Sequence, residues 1–226
     1  AQLDRIVSHR HLILPQLSAN GVAAHDKKKL CGLKGRCGPI HSSMRPEFLE
    51  SGQADEKMRS ITFTLKERAV LVPLEICLLW KHILAACILF FVLSGISPEI
   101  FSLQTALPRS ATLLSATFGA ILSGAVITPL LLPWIPFRQF WLKGAVLGAF
   151  TAVFFIFQVV PDTGPVEKTS LLLWITGCAS YLAMNFTGST PFTSLSGVSR
   201  EMRRGLPFQV GSLSLAVILW IVSPFV

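Results

Sequence analysis

Beyond Arg68 the chain carries only eight basic and five acidic residues, and its apolar residues gather into five long blocks. This pattern constrains the fold more than any other feature. A bilayer core offers no water to backbone N–H and C=O groups, so a spanning segment must be a helix of about 20 apolar residues. Five segments meet that demand: Trp80 to Ile96, Ala111 to Leu132, Phe140 to Val160, Ser170 to Phe186 and Leu206 to Val226. A mean hydropathy of +0.59 is too high for an ordinary soluble domain. The expected fold class is an α-helical membrane protein with five transmembrane helices.

Charge sets the expected orientation. Cytoplasmic loops of membrane proteins are enriched in Lys and Arg. Lys66 and Arg68, then Arg138 and Lys143, then Arg200, Arg203 and Arg204 fall on one face if five spans alternate. The other face holds Arg109 and Lys168 with the acids Glu99, Asp162 and Glu167. The expected location is the inner (cytoplasmic) membrane, with the N-terminal domain cytoplasmic and the C-terminus outside. The net charge of +8 then reflects membrane orientation, and no nucleic-acid partner is expected.

Within the spans, Gly119, Ala120, Ser123 and Gly124, and again Gly144, Ala145, Gly148 and Ala149, mark faces where helix backbones approach closely. Pro129, Pro133 and Pro136 are expected to end or kink the second span. Glu75, Lys81 and His82 lie near the cytoplasmic end of the first, at a depth where long side chains snorkel to water. Three of the five cysteines, Cys77, Cys87 and Cys178, fall in apolar segments as small packing residues. Cys31 and Cys37 lack the spacing of a zinc or iron–sulfur site, and no disulfide framework is evident.

The first 65 residues hold 12 of the 20 basic and seven of the 12 acidic residues if Lys66, Glu67 and Arg68 are counted with them. His11 to Leu14 reads as a short buried strand and Val22 to Leu30 as a helix. Lys34 to Cys37 reads as a weak strand, Pro46 to Glu50 as a helical turn and Ile61 to Leu65 as an edge strand. This order matches half of an open α/β domain. The expected division is therefore 1–65, a partial α/β (Rossmann-like) domain, and 66–226, the membrane domain. About 65 residues is marginal for an independent core. The opening AQLDRIV has neither Met nor a signal-peptide pattern, so the expectation is a start cut by processing or by a truncated gene.

Ligands of open α/β sheets sit beyond the carboxyl ends of the strands. Here those ends are Pro15-Gln16 and Gly38-Pro39; Gln16 offers an amide, and Gly38 permits close backbone approach. His9 and His11 would share a strand face, but no third metal ligand lies near, and GLKGRCG (Gly32 to Gly38) does not fit the dinucleotide fingerprint. A second feature is the loop Met184 to Arg204, which carries Thr187, Ser189, Thr190, Thr193, Ser194 and Ser196 before its arginines. It reads either as a polar binding surface at the membrane face or as a helix–helix connection whose hydroxyls cap helix ends.

Several stretches resemble known sequences. HRHLILPQL (His9 to Leu17), GVAAH (Gly21 to His25), Gly38-Pro39 and PEFLESG (Pro46 to Gly52) resemble the second half of the corrinoid-binding domain found in corrinoid iron–sulfur proteins. FTLKERAVLVPLEI (Phe63 to Ile76), the five spans and MNFTGSTPFTSLSGVSREM resemble the membrane half of mercury-methylating corrinoid proteins. The resemblance implies a corrinoid (cobalamin) carrying a methyl group, a methyl-donating methyltransferase, a ferredoxin-like electron donor and mercury(II) as acceptor. It places corrinoid contacts at Pro15, Gln16, Gly38 and Pro39. It turns Thr187, Ser189, Thr190, Thr193 and Ser194 toward the corrinoid domain or substrate. The family's cobalt-ligating Asn–x–Trp–Cys–Ala motif has no counterpart here. The chain alone is thus expected to be an inactive fragment of a corrinoid-dependent methyltransferase that does not retain the cofactor. Two rivals remain: a structural anchor recruiting a soluble methyltransferase or ferredoxin, and a small-molecule transporter. The scarcity of ionisable residues within the spans speaks against transport.

Overall fold

The computed structural model describes residues 11–14, 34–60, 64–98, 100–188 and 195–226. The chain divides into two units, Ala1–Thr62 and Phe63–Val226.

In the first unit, β1 (His11–Leu14) and β2 (Lys34–Cys37) pair in parallel, with His11 opposite Lys34 and Leu14 opposite Cys37. Parallel pairing brings both carboxyl ends to one edge. The Gly38 N–H extends the ladder by donating to the Leu14 carbonyl at 2.8 Å. A 3-10 turn, Ser42–Met44, leads into α1 (Arg45–Ser51), which has Pro46 in its first turn, where a missing N–H costs nothing. Gly52 ends α1 at φ 65°, its N–H donating to the Phe48 carbonyl at 2.9 Å. The short helix α2 (Glu56–Arg59) returns, and Ile40 N–H donates to the Met58 carbonyl. Phe48 and Met58 are the buried apolar anchors of this unit. The expected helix Val22 to Leu30 and residues 61–63 of the expected edge strand lie outside the described residues. Leu65, the last residue of that expected strand, instead opens a helix: Arg68 N–H donates to the Thr64 carbonyl, and Lys-Glu-Arg-Ala are strong helix formers.

The second unit is helical: α3 (Leu65–Gly95), α4 (Leu103–Ile121), α5 (Phe140–Gln158), α6 (Pro165–Asn185) and α7 (Leu195–Val222). Three helical stretches are long and apolar enough to cross a membrane: Leu103–Leu130, Phe140–Gln158 and Ser196–Phe225. The shortest has 19 residues, about 28 Å at 1.5 Å per residue, against a hydrocarbon core of about 30 Å. The other two expected spans fall short of that standard. The mainly apolar part of α3 is confined to Leu79–Gly95, which itself holds Lys81 and His82, because charged residues occupy its earlier turns. In α6, Glu167, Lys168, Asn185 and several hydroxyls dilute the apolar run.

Helix α6 is the centre of this unit and packs on α4, α5 and α7. Small residues set the approach. A Cβ on Gly148 would lie 2.7 Å from Ala179 Cβ, and one on Gly124 would lie 2.6 Å from the Ala179 carbonyl oxygen. Gly144 is pressed in the same way against Ala183 and Ser180. Gly119, by contrast, has ordinary room beside Thr151. Hydroxyls bond across the helices: Ser170 to the Ala216 carbonyl at 2.7 Å, Ser212 to the Leu173 carbonyl at 2.9 Å and Trp174 Nε1 to Thr117 Oγ1 at 2.9 Å. Large apolar side chains, including Phe118, Phe150, Phe154 and Phe157, point outward and are exposed. Small residues and interhelical hydroxyl bonds at the contacts, with large apolar side chains also facing outward, is the arrangement expected of helices that meet lipid.

Pro129 does not end the second apolar stretch. Leu122–Ile127 widens into a π-helix, Thr128 N–H and Oγ1–H both donate to the Ser123 carbonyl, and the helix continues through Leu130. Proline has no N–H to close the next bond, and a π turn absorbs the mismatch.

Candidate functional site

Each unit holds one candidate site. In the first, the edge where β1 and β2 end opens into a cavity of about 630 Å³. Its apolar wall comes from Ile13, Leu14, Ile40, Phe48 and Leu49, and its polar rim from His41 and Arg45. Gly38 and Pro39, both buried, form the floor. A Cβ at Gly38 would stand 2.8 Å from Ile13 Cγ2, so glycine is what lets the turn sit against the strand. Volumes of about 300–1,000 Å³ with apolar walls and few polar groups are those of small-molecule sites. Of the four residues expected to touch a corrinoid, Gly38 and Pro39 line this cavity; Pro15 and Gln16 lie outside the described residues.

The second site is the end of the helical unit where α3 and α7 begin, the stretch Thr128–Phe140 links α4 to α5, and α6 ends. Glu201, in the second turn of α7, is 7% exposed. Its Oε1 accepts from the Phe140 N–H at 2.9 Å, and its Oε2 accepts from Thr187 Oγ1 at 2.8 Å. Phe140 is the first residue of α5, so the carboxylate sits at the positive end of that helix and satisfies an N–H that the helix itself leaves unpaired. Lys143 Nζ donates to the Leu132 carbonyl, and Arg68 Nη1 donates to the Leu130 carbonyl at 2.9 Å. Both cations thereby secure carbonyls where the helical stretch ending at Leu130 gives way to the link to α5. About two turns deeper, buried Gln209 donates from Nε2 to Ser180 Oγ at 3.1 Å. Ser180 in turn donates to the Trp141 carbonyl at 3.0 Å.

Thr187, expected to face a partner, is therefore turned into the bundle at 1% exposure. Ser189, Thr190, Thr193 and Ser194 lie outside the described residues. Arg200, Arg203 and Arg204 are exposed on α7.

At the opposite end, Arg109 reaches three helices. It donates from Nη2 to the Trp220 carbonyl at 2.6 Å and to Ser223 Oγ at 2.7 Å, and from Nη1 to the Ser94 carbonyl at 3.4 Å. Its guanidinium lies 4.6 Å from the centre of the Trp220 ring, whose Nε1 donates to Ser94 Oγ. Sequence reasoning counts Arg109 only as a loop charge and singles out neither Glu201 nor Gln209. For Glu201 a signal exists: it is the lone acid in SREMRR, turned about 100° around the helix from Arg200.

Compared with protein-family models, curated proteins and solved structures, the chain matches none.

Proposed function

We propose that this chain is the carboxyl portion of a membrane-anchored corrinoid protein that passes a methyl group to mercury(II). The observation that carries the reading is the Gly38-Pro39 turn, at the shared carboxyl edge of a parallel strand pair and flooring an apolar cavity. The motif resemblance set out above supplies the chemical identity. In this reading the first unit completes a Rossmann-like domain, and all five helices of the second cross the inner membrane with the basic end cytoplasmic.

The cavity fits the face or edge of a large, flat, mostly apolar ligand. Glycine brings backbone within reach, and His41 and Arg45 stand ready for polar substituents. The chain lacks the family's cobalt-ligating motif, so its share of the work is to hold and orient the corrinoid, which when bound supplies a transferable methyl group. Methyltransferase and ferredoxin-like partners would load and reduce it. Anchor rather than conduit is the better reading of the helical unit. Its apolar helices carry few ionisable residues, the groups by which transporters hold ions and substrates.

The test is reconstitution. The purified chain should lose cobalamin absorbance on desalting. It should retain it when a cap segment bearing the Asn–x–Trp–Cys–Ala motif is supplied, and that complex, loaded with methylcobalamin and given mercury(II), should form methylmercury and leave demethylated cobalamin. Gly38→Val should abolish retention. No retention with the cap segment, or full retention by Gly38→Val, overturns the reading.

A further inference from the structure

We propose that the exposed arginines at the start of α7, with the apolar recess beside them, form a binding site for an anionic phospholipid. The inference rests on the reading of α7 as a membrane span. Arg200, Arg203 and Arg204 fall within about 100° of arc on the helix, the spacing at which side chains are neighbours. Like charges so placed repel one another, and an anion between them relieves the repulsion. The one acid in the run does not do so. Glu201 is turned inward and occupied by Phe140 N–H and Thr187 Oγ1. Of the other cations expected at this end, Lys143 and Arg68 are committed to carbonyls, and Lys66 and Arg138 are exposed outside α7. Among the described residues, the charged groups exposed on the first turns of α7 are therefore all cations.

Directly beside it lies a recess of about 480 Å³, lined by Val198, Met202, Leu206 and Pro207 with Ser199 and Arg203 at its polar edge. Arg203 belongs to both the cationic face and the recess. From here α7 runs on as an apolar helix with Phe208 and Val210 exposed. A ligand that fills the whole feature has a phosphate head for the arginines and an acyl chain for the recess and the helix below. A lipid of net negative charge satisfies both; a zwitterionic one brings its own cation to the arginine face.

The full chain is reconstituted into phosphatidylcholine vesicles, with and without a minor fraction of phosphatidylglycerol. It is then extracted in mild detergent, and the lipids that remain bound are measured by mass spectrometry. An arginine near an anionic surface is worth about fivefold in partitioning, so phosphatidylglycerol should be enriched about tenfold or more over phosphatidylcholine. The variant Arg200→Gln/Arg203→Gln/Arg204→Gln should lose that enrichment, and the corresponding triple Lys variant should keep most of it. Met202→Glu, which leaves every arginine in place but puts a carboxylate in the recess, should lose it too. Equal retention of both lipids by the parent chain, or enrichment that survives in the Gln and Met202→Glu variants, overturns the proposal. So does displacement of the lipid by inorganic phosphate alone, which would mark a simple anion site. Failure to enter phosphatidylcholine vesicles overturns the membrane reading and this site with it; entry without enrichment overturns this site alone.

Discussion

A single guanidinium holds one end of the helical unit together. Arg109, on α4, donates to carbonyls at the last turns of α3 and α7, groups that a helix cannot satisfy by itself. Hydrogen bonds from a charged donor contribute about 1.5–3 kcal/mol each, so Arg109→Ala should cost about 2–4 kcal/mol in a denaturant titration of the chain in detergent. Arg109→Lys should recover less than half. An ammonium lacks the planar fork that spans two acceptors and stacks on Trp220. Unchanged stability in Arg109→Ala would show that water satisfies those carbonyls equally well. At this scale the sequence is least legible. Composition marks Arg109 as a charge, but its acceptors lie 15 and 111 residues away, a distance no local pattern spans. The same holds for Thr187, whose hydroxyl looks like surface until α7 folds back and offers Glu201. Gly38 is legible as a turn, because a glycine followed by proline after a short strand marks where that strand stops; its place against the cavity is not, since that depends on Ile13 and Phe48 folding beside it.

Among the elements, the contact of α5 with α6 makes the sharpest claim. Gly148→Leu would drive a side chain into Ala179 Cβ, 2.7 Å from where its own Cβ must sit, and into the backbone near Thr176. The helices would have to separate, at a cost of about 1–3 kcal/mol or more. At Gly211, on α7, an added Cβ would meet nothing within 4 Å. Gly211→Ala should therefore stabilise by about 0.5–1 kcal/mol, since alanine is the better helix former. Thermal denaturation in detergent of the two variants beside the parent chain checks both signs; a neutral Gly148→Leu would mean that α5 and α6 are not in close contact. Helix positions are legible because apolar blocks and small-residue stripes repeat over many residues. Their exact character is less so: the π turn before Pro129 depends on Ser123 accepting twice from Thr128, and the extension of α3 back to Leu65 depends on helix formers that a strand-like alternation masks.

For the whole molecule, the two ends of the helical unit carry different chemistry. One end gathers Lys66, Arg68, Arg138, Lys143, Arg200, Arg203 and Arg204; the other gathers Arg109, Lys168, Asp162 and Glu167. If the basic end is cytoplasmic, Ser199→Cys should be shielded from an impermeant thiol reagent in intact cells, and Gly164→Cys should react. Both sites are exposed, so folding does not confound the result. The reverse labelling pattern would invert the topology. Loop charge alone makes this asymmetry legible, because it needs only the order of charged and apolar blocks. The pairing of β1 with β2 is foreshadowed only as strand order, because parallel partners 23 residues apart are joined through a crossover.

The inward turn of Glu201 also dictates when the helical unit can be completed. Phe140 and Thr187 leave the ribosome 61 and 14 residues ahead of the carboxylate that binds them. Until Glu201 emerges, the first N–H of α5 lacks the carboxylate that accepts from it in the finished unit. A chain that stops before residue 201 thus lacks the carboxylate that ties the start of α5 to α7.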